Sequence, residues 1–248
     1  MSETRVDEIA DGIYRIATYN GTMMMNQFLV TGDEPLLFHT GPRKMFDNVR
    51  NAVATVLAPE SLRWIAFGHV EADECGSLDA WMETAPESTV AHSGLGVITQ
   101  VNDLAPRTPR NLADGDVIDT GTHRLRYLRT PHVPHGWDAG LLFDETTGTL
   151  LCGDLFTHYG QTPALGGTEI LEFAISSEDI GYPTALTPDT GPTIRRLAEL
   201  APTTLAIMHG AAFTGDGAPM LIGLAEAYEE RLMAAVRKQQ LGAAMRRA

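Results

Sequence analysis

Gly68-His69-Val70-Glu71-Ala72-Asp73-Glu74-Cys75-Gly76, residues 68–76, is the stretch on which the reading of the fold turns. It places an imidazole and two carboxylates at alternate positions. They directly follow a short apolar run, Trp64-Ile65-Ala66-Phe67, that reads as a buried strand. In extended chain, alternate side chains point the same way. A tight loop would instead splay them towards two neighbouring points. Either geometry gathers three potential metal ligands. Read alone, the segment is also compatible with a solvated acidic loop carrying an incidental histidine.

Working outward, three further expected strands, two of them apolar, lead into a residue of the same chemistry. Residues 124–129 lead into Thr130-Pro131-His132-Val133-Pro134-His135-Gly136. Residues 149–152 lead into Gly153-Asp154, and 204–208 into His209-Gly210. A single histidine at a strand end is ordinarily structural or solvated. The inference lies in the set, which reads HxExD, H, D, H along the chain.

That set resembles the metallo-β-lactamase superfamily, whose αββα sandwich carries its metals at strand ends along one edge. The hydrolases there read HxHxDH. Glu71 stands where the second His would be and Glu74 where the last would be. The first departure is similar to the di-iron branch, the flavodiiron and oxygen-binding di-iron proteins, whose motif is HxExDH. The resemblance covers about residues 8–215 and implies an α+β fold, a four-layer αββα sandwich. It also implies a ligand set: His69, Glu71 and His135 on one iron, Asp73 and His209 on the other, and Asp154 bridging. Asn26 looks like the Asn near the start of that domain. Glu74 departs from the pattern and reads either as support for a ligand or as surface. His39 occupies a place where the superfamily often has an Asp supporting the metal loop. His158 shares the loop of Asp154 and is a candidate for lining a pocket. His132 is a candidate for bonding near the site or for a turn. His92 and His123 are expected to be unrelated to the metals, and Met23, Met24 and Met25 to pack the core.

The chemistry agrees with iron. Carboxylate in place of imidazole hardens a site and favours iron or manganese over zinc, so Mn or Zn stays an alternative to a two-iron centre. Three carboxylates against two divalent cations leave one positive charge, which a bridging hydroxide would neutralise.

The 248 residues suffice for a single domain over 1–248, with a C-terminal helix at about 218–241. Apolar residues make up 44% and charged residues 20%, ordinary for a globular protein. A net charge of -14 repels phosphate backbones and anionic lipid, so neither nucleic acid nor membrane is an expected partner. Two cysteines, a polar start without a signal pattern and no bilayer-length apolar run lead us to expect a cytoplasmic location. Strands are expected at 13–19, 24–31, 35–40, 88–92 and 139–144, and helices at 45–57, near 94–101 and at 191–200. Residues 157–175 show no clear period.

The resemblance implies a stand-alone di-iron protein that binds or reduces dioxygen or nitric oxide, either as a reductase or as an oxygen sensor. The sequence shows no GxGxxG loop and no CxxC pairs, so a reductase would need an external electron-transfer protein. The alternative is a binuclear metallohydrolase acting on an ester, amide or thioester. A homodimer is expected, with the C-terminal helix as one candidate interface.

Overall fold

The computed structural model describes residues 3–245. The first half forms a seven-stranded sheet in chain order: β1 (Arg5–Ala10), β2 (Ile13–Tyr19), β3 (Met24–Val30), β4 (Leu36–Phe38), β5 (Trp64–Ala66), β6 (Thr89–Ser93) and β7 (Arg110–Leu112). The opening strands are antiparallel. From β4 to β7 the pairing is parallel, because α1 (Phe46–Val53), α2 (Ala72–Cys75), α3 (Leu78–Thr84) and a helical stretch at 94–104 make the crossovers.

The second half forms another seven-stranded sheet. Its strands are β8 (Val117–Asp119), β9 (Arg124–Arg129), β10 (Gly140–Asp144), β11 (Thr149–Leu151), β12 (Leu165–Gly166), β13 (Thr204–Ala206) and β14 (Ala212–Thr214). The spatial order is β12-β14-β13-β11-β10-β9-β8. Its helices are α4 (Ile170–Gly181), α5 (Thr190–Ala198) and α6 (Gly217–Met245).

Strand periodicity sorts the apolar residues into layers. Leu36, Phe38, Leu125, Tyr127, Leu142, Leu151 and Ala206 lie between the two sheets. Their neighbours face outward: Leu37 and Ile65 pack beneath Val49, Leu78 and Trp81, while Leu141, Leu150 and Leu205 pack beneath Ile194, Leu197 and Leu224. These are the four αββα layers expected from the sequence.

The structure adds elements that sequence periodicity did not supply. Strands β1, β8, β12 and β14 are too short or too polar to signal, β7 falls inside a Pro-rich segment, and α4 falls partly within 157–175. Among the described residues no helix is long and apolar enough to cross a membrane.

Candidate metal centre

Three strands deliver their candidate ligand at the same offset. Asp154 and His209 each come three residues after a strand, and parallel pairing of Leu151 with Ala206 brings those strand ends level. His69 follows Ala66 by the same step from the facing sheet. The sheets are tied at this edge, where Gly140 N donates to Gly68 O at 2.8 Å. His135 arrives on the turn after β9. Gly136 there has φ +82, and a Cβ on it would lie 3.1 Å from that of His69, so the close approach of the two loops needs glycine.

Two donor sets result. His69 Nε2 and His135 Nε2 lie 2.8 and 3.1 Å from Glu71 Oε2, and His135 Nε2 is 3.3 Å from Asp154 Oδ2. One donor atom from each of His69, Glu71, His135 and Asp154 falls within a 4.8 Å span. The second set is sparser: His209 Nε2 lies 3.2 Å from Asp154 Oδ1 and 3.3 Å from Asp73 Oδ2. Asp154 thus turns one oxygen to each set. Asp154 Oδ1 and Asp73 Oδ1 are buried without a hydrogen-bond partner. Buried carboxylate oxygens left without a hydrogen bond, in carboxylates that also approach imidazole nitrogens, suit a pair of cations.

The histidines are oriented by their other ring nitrogen. His135 Nδ1 donates to Pro183 O and His209 Nδ1 to Met24 O, both at 2.8 Å, which leaves each Nε2 lone pair for a ligand. Glu74 does this for His69. It is fully buried, accepts from His69 N at 2.7 Å and lies 3.1 Å from His69 Nδ1. The reason is local. Glu71 is extended (φ -140, ψ 156) and caps α2, whose helical turn sends Asp73 and Glu74 in different directions. Of the two readings open for Glu74, the structure takes support over surface. His39, itself buried, stands behind it with Nε2 3.6 Å from Glu74 Oε1.

Other residues fall further from the donors. His158 is buried, donates Nδ1–H to Phe156 O at 3.0 Å, and lies over Gly210, where any Cβ would come within 2.2 Å of its ring. Burial holds its pKa below the ordinary value, so it is neutral. His132 is exposed, and its backbone N–H closes the turn by donating to Gly136 O at 2.7 Å. His123 pairs with Asp144 at 3.0 Å, away from the donors. Met24 is buried and Met25 packs against the outer core of the first sheet.

Sequence reasoning assigned no supporting role to Asp138, His92 or Arg15, whereas Asn26 stood out from the resemblance. Asp138 accepts from Val70 N at 2.9 Å and from His92 Nε2 at 3.0 Å, so His92, expected to be unrelated, steadies the loop of His69. Arg15 and Asn26, from the first sheet, donate to Gly210 O at 3.1 and 2.8 Å and so grip the loop of His209. The two prolines and the Asp around His135 were the only local hint of the first support. The Arg15 contact had no hint.

The clustered carboxylates favour protonated imidazoles. Burial opposes charge on His209, but Asp154 and Asp73 outweigh it and raise its pKa to about 10. Burial likewise opposes charge on His69, yet Glu74, Glu71 and Asp154 carry it to about 11. Asp154, raised by burial but pulled harder by His209, His69 and His135, stays below the ordinary carboxylate range.

Raised histidines stabilise the fold fully below their unfolded value of 6.5, and the gain is lost as pH climbs to about 10 for His209 and about 11 for His69. The depressed Asp154 matters only in acid, where its contribution is lost as it protonates. Chelator-treated protein is therefore expected to lose thermal stability from pH 6.5 to about 11, while metal affinity rises because the metal displaces those protons. Melts and metal titrations across that window check this. An apo melting temperature that climbs with pH would contradict it.

Comparison with known proteins follows the same lines. The sequence model described as "ODP family beta lactamase" matches residues 23–168. A putative diflavin flavoprotein A 1 of Thermosynechococcus vestitus is 31% identical over 143 residues, 56% of this chain and 24% of that protein. The flavo-diiron protein FprA2 of Clostridium acetobutylicum is 23% identical over 179 residues, 66% of this chain and 44% of its own length. The chain therefore spans from about a quarter to under half of these curated relatives. The solved rubredoxin oxygen:oxidoreductase of Desulfovibrio gigas superposes with a TM-score of 0.74 at 16% identity, covering 92% of this chain and 62% of that one. At that identity the likeness establishes the fold.

Proposed function

The chain belongs to the ODP family of β-lactamases, and on that premise we propose a di-iron protein that binds or reduces dioxygen or nitric oxide. The observation that carries this reading is Glu71, whose carboxylate stands within 2.8 and 3.1 Å of two imidazole nitrogens where a zinc hydrolase would offer a third imidazole. Hard carboxylate donors balanced against imidazoles suit iron.

His69, Glu71, His135 and Asp154 would hold one ion, and Asp73, His209 and Asp154 the other. Two irons there would supply electrons and open coordination positions for a small gas ligand.

The residues of the chain do the rest. Asp154, with its side chain only 9% exposed, keeps the two positions close and shielded. Glu71 is 51% and His135 30% exposed, so the first set opens to solvent on their side, which is where a gas would enter. Pro183 O and Met24 O hold the imidazoles so that neither ring turns away when the site is loaded. The second set offers fewer protein donors, so an ion held there would keep more coordination positions free, although its side chains are the more buried. Electrons would come from an external electron-transfer protein. The two buried, unpaired thiols of Cys75 and Cys152 suit a reducing, cytoplasmic setting.

The test is direct. Protein expressed with iron and zinc both available is expected to retain iron, and its reduced form to change its optical spectrum when dioxygen or nitric oxide is added. Protein that retains zinc and turns over an ester, amide or thioester would move the assignment to the hydrolases.

A further inference from the structure

His135 is carried differently from the other imidazole donors. His69 and His209 each follow a strand end, whereas His135 sits on a turn with its side chain 30% exposed. Its Nδ1–H donates to Pro183 O at 2.8 Å, and that bond sets which way the ring faces. Pro183 belongs to no helix or strand and lies between α4 and α5. The aim of His135 is therefore only as firm as the placement of Pro183.

Buried polar side chains make that placement. Thr184 donates its hydroxyl hydrogen to Glu178 Oε1, on the last turn of α4. Tyr228 OH, from α6, donates to the same oxygen at 3.1 Å. All three side chains are buried. Just beyond Thr184, Ala185 N donates to Pro134 O at 2.7 Å, and Ala185 O accepts from Thr190 Oγ1 at 2.9 Å. Between Glu178 and Pro183 the chain leaves the helix through Tyr182 at φ +49, ψ 46. A non-glycine residue rarely adopts that left-handed conformation, and it persists where surrounding bonds over-determine it.

Stability alone does not account for Glu178. Burial opposes a carboxylate, and on the last turn of a helix the negative end of the dipole opposes it too. Arg231 of α6 offsets part of this at the same helix end, where it donates to Ile175 O and Asp179 Oδ1, each at 2.7 Å. An apolar side chain at 178 would pack beside Tyr228 without either cost, but it could not accept from Thr184.

We propose that Glu178 is a positioning residue of the metal centre. Through Thr184 it fixes Pro183, whose carbonyl oxygen aims His135 at the first donor set. Tyr228 supplies the second bond to Glu178 and so brings α6 into the clamp. The inference rests on the reading of His69, Glu71, His135 and Asp154 as ligands of one ion. Without the clamp, the ring of His135 turns more freely, and the first set spends time with one donor fewer.

Four variants of the full chain test this. Thr184→Val and Glu178→Leu each break the Thr184–Glu178 bond, whereas Thr184→Ser and Glu178→Gln each keep a donor and an acceptor. The bonds of Ala185 remain, so the segment is loosened and not released. Should Glu178→Leu fail to fold, Thr184→Val, in a segment outside helices and strands, carries the test. Carbon-13 relaxation of the imidazole rings in metal-free protein is expected to show the His135 order parameter falling into the flexible range, below about 0.6, in the bond-breaking variants. The ring of His209, held by Met24 O, should not change. Iron(II) titration should show the first ion weakened on the order of tenfold and the second unaffected. Thr184→Ser and Glu178→Gln should match the wild type in both measurements. The relaxation measurement needs no metal, so a wild-type chain that keeps no iron would end the di-iron reading while ring mobility still decides the role of Glu178. A His135 ring that stays rigid in Thr184→Val would overturn the proposal. So would equal loosening of His135 and His209, or a Thr184→Ser protein that behaves like the valine variant.

Discussion

Replacing Asp154 with alanine is expected to empty both halves of the proposed centre at once. No other candidate ligand reaches both donor sets: its Oδ2 lies 3.3 Å from His135 Nε2, and its Oδ1 lies 3.2 Å from His209 Nε2. Removing it takes a donor from each set. It also takes away negative charge that offsets two cations in a site where Asp154 and His209 are nearly excluded from water. Loss of a ligand should exceed the ~10–100-fold affinity cost usual for an outer support, so a fall of more than ~100-fold is expected. Asp73→Ala is the control. Asp73 approaches only His209, at 3.3 Å, so that variant should keep the first ion and lose the second. Metal content after dialysis against a weak chelator separates the two outcomes. An Asp154→Ala protein that keeps a full metal complement would remove the bridge from the mechanism.

Glu74→Ala is expected to act on the same centre without touching a metal. The Glu74 carboxylate has no exposure, and it accepts His69 N at 2.7 Å while lying 3.1 Å from His69 Nδ1. Alanine leaves that backbone donor buried without an acceptor, at a cost of about 1–3 kcal/mol in stability. It also frees the imidazole ring to turn and removes the carboxylate that makes it a better donor, so affinity for the first ion should fall by ~10–100-fold. Glu74→Gln divides these effects. Its amide oxygen can still accept from His69 N, so most stability should return, while affinity stays low because the charge is gone. Urea denaturation and metal titration report the two quantities separately. If alanine changes stability but leaves affinity alone, Glu74 is packing and nothing more.

Both variants concern residues whose chemistry was legible in the sequence and whose geometry was not. His69, Glu71, Asp73, His135, Asp154 and His209 stood out because ligand-type side chains and the ends of apolar strands are both local signals. The layered fold followed from the same strand and helix periods, strengthened by the family resemblance of HxExD, H, D, H. Where those periods failed, the elements were short, too polar, or apolar on more than one face. In α4, Ile170, Leu171, Phe173, Ala174 and Ile175 circle the helix instead of forming a stripe, so no period appears.

The direction in which each side chain points belongs to the tertiary structure. Asp73 and Glu74 are neighbours in the chain, yet a single turn of helix sends one to the second donor set and the other inward beneath His69. His92 gains its role through Asp138, 46 residues away, and Arg15 through Gly210, 195 residues away. No local pattern encodes such pairs, because their partners become neighbours only when the two sheets close on each other. The sequence by itself therefore determined which residues are the candidates for the chemistry. Packing of the two halves decided how those residues are aimed and what holds them there.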